Sequence, residues 1–177
     1  MSNSLSGINI PTSESSGLFM KKLEQGENTI RILTSPIDGY VWWPEDDNKP
    51  QRVKEPKDIP TGVKDAKYFW FLTIGINGEV KFLEIKQRTI QNQIAALSNN
   101  TQWGEVKDYD ITITRSGQDL ETQYTVVPNP KSDVSTDVAG EWNKMKARYK
   151  PENLFTNGSP LEAGEEVAQD NDEELPF

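Results

Sequence analysis

Between Lys67 and Lys86 the chain reads KYFWFLTIGINGEVKFLEIK, two apolar runs joined at Asn77-Gly78. An Asn-Gly pair in that setting predicts a two-residue hairpin, because a type I′ turn needs positive φ at both central residues. A two-residue loop also fixes the register. Ile76 then faces Glu79, Trp70 faces Ile85, Phe71 faces Glu84 and Phe69 faces Lys86. The first strand carries large rings on both sides, Tyr68 and Trp70 on one, Phe69 and Phe71 on the other. A half-buried strand needs only one such face. Either both faces are buried, or one displays rings to a ligand. Ile85 opposite Trp70 points to the core. Lys86 and Glu84 opposite Phe69 and Phe71 point to the outer face, so Phe69 and Phe71 are the rings expected to be displayed.

The rest of the chain limits what surrounds this hairpin. With 177 residues, 34% of them hydrophobic, it has material for one domain with one modest core and tails. It contains no Cys and no His. Disulfides, thiolate nucleophiles, zinc-thiolate sites and Ser-His or Cys-His arrangements are therefore excluded. The absence of Cys fits a reducing compartment, and the cytoplasm of a bacterial or infected host cell is the expected location. No apolar run approaches the ~20 residues that span a bilayer. Residues 1–17 are rich in Ser, Asn and Gly and read as a flexible leader without signal-peptide regions.

In chain order, Asn28–Leu33 alternates apolar and polar residues and predicts a strand. Tyr40–Trp43 predicts another, ended by Pro44. Adjacent Trp42 and Trp43 face opposite sides, so at most one lies in a one-sided core. Residues 45–64 hold three prolines and read as a long irregular stretch, either a solvated connection or a mobile flap carrying Arg52 and Lys54. After the hairpin, Ile90, Ile94 and Leu97 recur at helical spacing, with Thr89 as the expected N-cap. Tyr109–Thr114 and Thr122–Val127 predict two more strands, the second stopped by Pro128-Asn129-Pro130. A last helix is expected from Ser135 or Thr136 to Tyr149, with Val138, Trp142, Met145 and Tyr149 on one stripe.

Six strands in antiparallel neighbours, a helix between the fourth and fifth, and no βαβ alternation predict a mainly β fold. The best fit is an OB-fold-like Greek-key β-barrel with one or two helices and disordered termini. An open α+β sheet is the alternative. The expected organisation is a leader at 1–17, a body at 18–150 and a disordered acidic tail at 151–177.

The net charge is −9, but its distribution is uneven. All Lys and Arg lie at or before Lys150, and eight acids follow it. The body is thus close to neutral and the tail holds the excess. Rings at Tyr40, Trp42, Trp43, Phe69 and Phe71, with cations at Arg52, Lys54, Lys67, Lys86 and Arg88, make the expected surface for a nucleic-acid strand. Flat rings stack on bases and cations follow phosphates, at about 1–3 kcal/mol per stacked base. For any one ring, core packing is the plainer reading. Asp46-Asp47 and Asp108/Asp110 match no metal-loop spacing, and no glycine-rich phosphate loop is present. No enzyme activity, cofactor, metal or small-molecule substrate is expected.

The chain ends Asp172-Glu173-Glu174-Leu175-Pro176-Phe177. An acidic run before an aliphatic residue, Pro, Phe and a carboxylate suits capture by a basic, apolar pocket on another protein. These six residues resemble the acidic tip of bacterial single-stranded DNA-binding proteins, which recruits replication and repair enzymes. The segments GENTIRILTSPIDGYVWW, KYFWFLTI, VKFLEIKQRTIQNQIAAL and YDITITRSGQDLETQYTVVPNPK resemble a group of tailed-phage single-stranded DNA-binding proteins. That likeness runs over most of residues 19–131. It implies an OB-fold and a role in phage DNA replication, recombination or repair. The structural zinc of the T-even phage helix-destabilising protein cannot be carried over, because this chain has no Cys or His.

The expectation is a non-enzymatic binder of single-stranded DNA whose tail docks partners and covers the basic groove when DNA is absent. Deleting Pro160–Phe177 is then expected to tighten DNA binding. The alternative is an acidic protein–protein interaction module or DNA-mimic adaptor with no DNA binding of its own. A metal-dependent nuclease is a weaker third reading.

Overall fold

Asn77 and Gly78 turn the chain with φ of 53° and 80°. On either side run β5 (Lys67–Ile76), the longest strand among the described residues, and β6 (Glu79–Ile85). Their register is the one the two-residue loop demands: Ile76 faces Glu79, Trp70 faces Ile85 and Phe71 faces Glu84. The computed structural model describes residues 17–20, 22–46 and 49–162.

Around this hairpin lie β1 (Phe19–Met20), β2 (Gly26–Ile32), β3 (Ile37–Trp42), β4 (Gln51–Val53), β7 (Tyr109–Ser116) and β8 (Gln123–Lys131). The sheet order is β1-β6-β5-β2-β7-β8, with β3 paired to the first half of β5 and β4 paired to β3. Among the described residues, only β1 is parallel to its neighbour. The path β6-β5-β2-β7-β8 is that of a five-stranded OB-like barrel, with β2, β5, β6, β7 and β8 as its strands in chain order. Hairpin β3–β4 is inserted in the connection between the first and second of them.

The sheet does not close, because the free edge of β6 carries β1 and not β8. Helix α1 (Arg88–Ser98) fills the gap. Its buried Gln91 donates to the Ile85 carbonyl of β6 at 2.9 Å. Two residues on, on the other side of the helix, Gln93 donates to the Tyr124 carbonyl and accepts from the Val126 amide of β8. A side-chain amide thus satisfies the backbone of an edge strand that would otherwise be open to pairing. The helix starts two residues earlier than the sequence suggests. Gln87 is its N-cap, and Thr89 sits inside the first turn.

Two hydrophobic clusters share the hairpin, where composition suggested one. The barrel interior holds Ile30, Ile32, Leu72, Ile74, Leu83, Ile85, Ile90, Ile94, Tyr109, Ile111 and Ile113. The opposite face of β5 and β6 presents Phe69, Phe71, Val80 and Phe82 to a second cluster with Val41, Val138, Met145 and Leu154. That cluster is closed by the C-terminal part of the chain. Helix α2 (Thr136–Met145) starts where the sequence predicts, the Ser135 hydroxyl accepting from the Val138 amide at 3.2 Å. It ends at Met145, four residues before the expected Tyr149. Val138 and Met145 are buried, and Trp142 and Tyr149 pack beside them.

The expected tail boundary at Pro151 moves. Pro151–Thr156 is a 3-10 turn with Leu154 buried, and Leu161 bridges back to Tyr149. Leu154 and Phe155 supply the apolar area that makes this segment part of the body. β8 likewise runs through Pro128 and Pro130, beyond the expected stop. A terminal strand tolerates proline because its outward N–H groups have no ladder partner.

Candidate nucleic-acid interface

β5 extends past the end of β2, and its first residues pair with β3. Tyr40 therefore lies directly opposite Tyr68, and Asp38 opposite Trp70. The two tyrosine rings are 5.5 Å apart and tilted by 55°. Beyond them, the Arg88 guanidinium sits 5.3 Å from the centre of the Tyr68 ring. Tyr40, Tyr68 and Trp70 are half-buried and Arg88 is exposed. Among the described residues, neither Arg88 nor the exposed Lys67 makes an ion pair.

A chain of hydrogen bonds holds this face rigid. The Trp70 indole donates to the Tyr68 hydroxyl at 3.2 Å, and that hydroxyl donates to Asp38 Oδ2 at 2.8 Å. Lys54 Nζ completes it, 2.8 Å from Asp38 Oδ1. The Lys54 hydrogen bond holds the Asp38 carboxyl below its ordinary 3.8, Tyr68 helping and burial opposing. Burial first, and then the bond to Asp38, push the Tyr68 phenol above 10.0. The phenol is a neutral donor throughout the physiological range.

A second aromatic–cation pair lies where β3 ends. Trp42 is buried and Trp43 is 46% exposed, the split that adjacent strand positions require. Lys86 Nζ lies 5.5 Å from the Trp43 ring centre and 3.6 Å from Glu84 Oε1. Cations over ring faces are held by the ring quadrupole and stay available to a passing anion.

The predicted residues thus divide. Tyr40, Arg88, Trp43, Lys86 and Lys67 lie on accessible surface. Phe69 and Phe71 are 0% exposed and cannot stack on a base. The charged residues opposite them misled the sequence reading. Glu84 is itself mostly buried, paired with Arg52 at 3.0 Å, and the Arg52 guanidinium covers the Phe69 ring at 5.6 Å. A charged pair seals the rim of an apolar cluster and does not mark solvent. Trp42 is likewise removed from the candidate rings. Arg52 lies on β4 and not on a flap, and its side chain is 14% exposed. Lys54 is spent on Asp38 and on the Phe155 ring, 5.9 Å away. Tyr68 and Trp70, set aside by the register argument, belong to the accessible face. Their signal was the pairing of Tyr40 with Tyr68, which requires knowing that β3 docks on β5.

No protein-family model, no curated protein and no solved structure matches the chain. The site therefore stands on its own chemistry. Asp110, one of the acids weighed as a metal ligand, is bonded to the Arg31 guanidinium at 2.8 Å. Among the described residues no group of three acids converges on one point. Nor, among them, is any helix long and apolar enough to cross a membrane. The tail residues Asp172–Phe177 lie outside the described residues.

Proposed function

We propose that this protein binds single-stranded DNA and catalyses no reaction. The observation that carries the reading is the Tyr40–Tyr68–Trp70 face with Arg88 over it. It is a half-open aromatic platform with an unpaired cation, on the second strand of an OB-like path. In OB-folds the surface of the second and third strands and the loop before them bind oligonucleotides. Here the outer face of those strands is covered by α2 and residues 151–161, so a strand must cross the end of the hairpin, over Tyr40, Tyr68 and Arg88. Rings and unpaired cations without base-edge donors in fixed arrays suit binding with little sequence preference.

The likeness of residues 19–131 to tailed-phage proteins supports a role in phage DNA replication, recombination or repair. The likeness of the last six residues to bacterial tips supports partner recruitment through Asp172–Phe177. Those same acids would compete with DNA for Arg88 and Lys67. Because Pro160 is buried and Leu161 bridges to Tyr149, the deletion that isolates this effect removes residues 163–177 and not Pro160–Phe177.

The test is a tryptophan-fluorescence titration with oligo-dT and with duplex DNA at two salt concentrations. The expected result is saturable quenching by oligo-dT, weaker binding to duplex, and affinity that falls as salt rises through counterion release. The 163–177 deletion is expected to bind more tightly. Equal and negligible binding of both DNAs, with or without the tail, would favour the interaction-module reading.

A further inference from the structure

Beside Trp70 the surface opens into a cavity of about 270 Å³. It lies between the connection leaving β2, the second half of α1 and the segment that precedes β7. Its apolar lining comes from Ile32, Leu72 and Ile94, with the Trp70 indole contributing to the wall. Its rim is polar and exposed, with Ser35, Ser98, Asn99 and Lys107.

We propose that this cavity takes one unstacked nucleobase from the strand that crosses the Tyr40–Tyr68 face. The inference rests on the single-strand reading above and deepens it. Size is the first argument. Cavities for drug-sized ligands run from about 300 to 1,000 Å³, and this one lies just below that range, a size for one flat heterocycle. Chemistry is the second. A base needs apolar walls for its faces and adaptable polar groups for its edge. Ser35, Ser98 and Asn99 are exposed at the rim, where their hydroxyl and amide groups can donate or accept. Glu105 also lines the rim, which disfavours a free anion such as phosphate as the occupant and offers an acceptor to a ring N–H of a base, such as thymine N3–H.

Preorganisation is the third argument. The indole is anchored to Tyr68 at 3.2 Å, and the Thr34 hydroxyl accepts from the Thr73 amide at 3.1 Å, fixing the turn that forms one lip. Trp70 is common to both features: it belongs to the aromatic face and lines the cavity. A strand lying on Tyr68 therefore has its next base within reach of the opening. Lys107 lines the cavity and Arg88 lies over the Tyr68 ring, both without ion pairs among the described residues, so each can meet a phosphate of the bound strand.

The test blocks the cavity without touching the aromatic face. Ser98→Tyr places a ring at the mouth from the exposed last turn of α1. Ala95→Leu, one turn earlier, fills it if the first variant fails to fold. Each full-length variant is titrated with oligo-dT and with an abasic oligomer of the same length. The expected result is that oligo-dT binding weakens about tenfold, within the range for one lost base stack, while abasic binding is unchanged. Oligo-dT binding equal to wild type, or equal loss with both ligands, would overturn the cavity proposal and leave the single-strand reading intact. Failure of the wild-type protein to bind oligo-dT overturns both. Tighter binding by Ser98→Tyr that disappears when Phe177→Ala is added would show that the cavity holds the chain's own terminal ring and not a base.

Discussion

Gly39 of β3 and Phe155 of the C-terminal segment meet so closely that a Cβ on Gly39 would lie 2.8 Å from the Phe155 ring. The same Cβ would lie 2.6 Å from the Val53 carbonyl oxygen of β4. The missing side chain is what lets residues 151–161 close over the second cluster. Gly39→Ala is therefore expected to destabilise the fold by about 1–3 kcal/mol, the usual cost of overpacking. Urea unfolding measures it. Adding Phe155→Leu should recover only part of the loss, because the Val53 carbonyl cannot move out of its ladder.

Arg31 is a buried cation with no partner missing. It donates to Asp110, to the Lys107 carbonyl, and to both the carbonyl and hydroxyl of Ser132, tying β2 to the end of the β7–β8 pair where β7 starts and β8 stops. Arg31→Met strands these acceptors. Asp110 is 39% exposed and can rehydrate, which holds the expected cost to about 1–3 kcal/mol. Asp110→Asn should cost less, since three of the four acceptors remain. Equal losses in denaturant unfolding would contradict this division.

Asp38 links the rigidity of the aromatic face to pH. Its carboxyl titrates lower in the folded protein than its ordinary 3.8, so ionised Asp38 favours folding. That contribution is fully present above the unfolded value and is lost as pH falls through the lower, folded one. The stability advantage of wild type over Asp38→Asn should be constant near neutral pH and shrink below about pH 3.8. Thermal melts of both proteins from pH 7 to pH 3 give the comparison. An advantage that grows on acidification would reverse the sign.

Core rings and site rings should separate cleanly. Phe71→Ala removes a fully buried ring and is expected to cost about 3–5 kcal/mol of stability. The fraction that remains folded should bind oligo-dT as wild type does. Tyr40→Ala and Arg88→Ala should do the reverse, weakening binding about 5- to 100-fold at small cost in stability. Paired unfolding and binding curves for the three variants decide the assignment.

The hairpin register, the helix after it and the mainly β class were legible because each depends on neighbours in sequence. Asn77-Gly78 sets its own φ values, and that turn alone fixes Trp70 against Ile85. Which face of β5 meets solvent was not legible. Phe69 and Phe71 are covered by Val138, Met145 and Leu154, some seventy residues later, and nothing local to the hairpin encodes that cover. Glu84 read as exposed because its neutralising partner, Arg52, sits on a three-residue strand inside a stretch that looks irregular. The site was half legible for the same reason. Tyr40 and Arg88 stand out as a ring and a cation, but only the docking of β3 on β5 brings both to Tyr68.

Photo-crosslinking of the full-length protein to oligo-deoxyuridine carrying 5-iodouracil, with adducts located by peptide mass spectrometry, maps the path of the bound strand. Adducts are expected on Tyr40, Tyr68, Trp70 or Trp43. Adducts confined to Trp142 and Tyr149, or none despite binding, would contradict the proposed path.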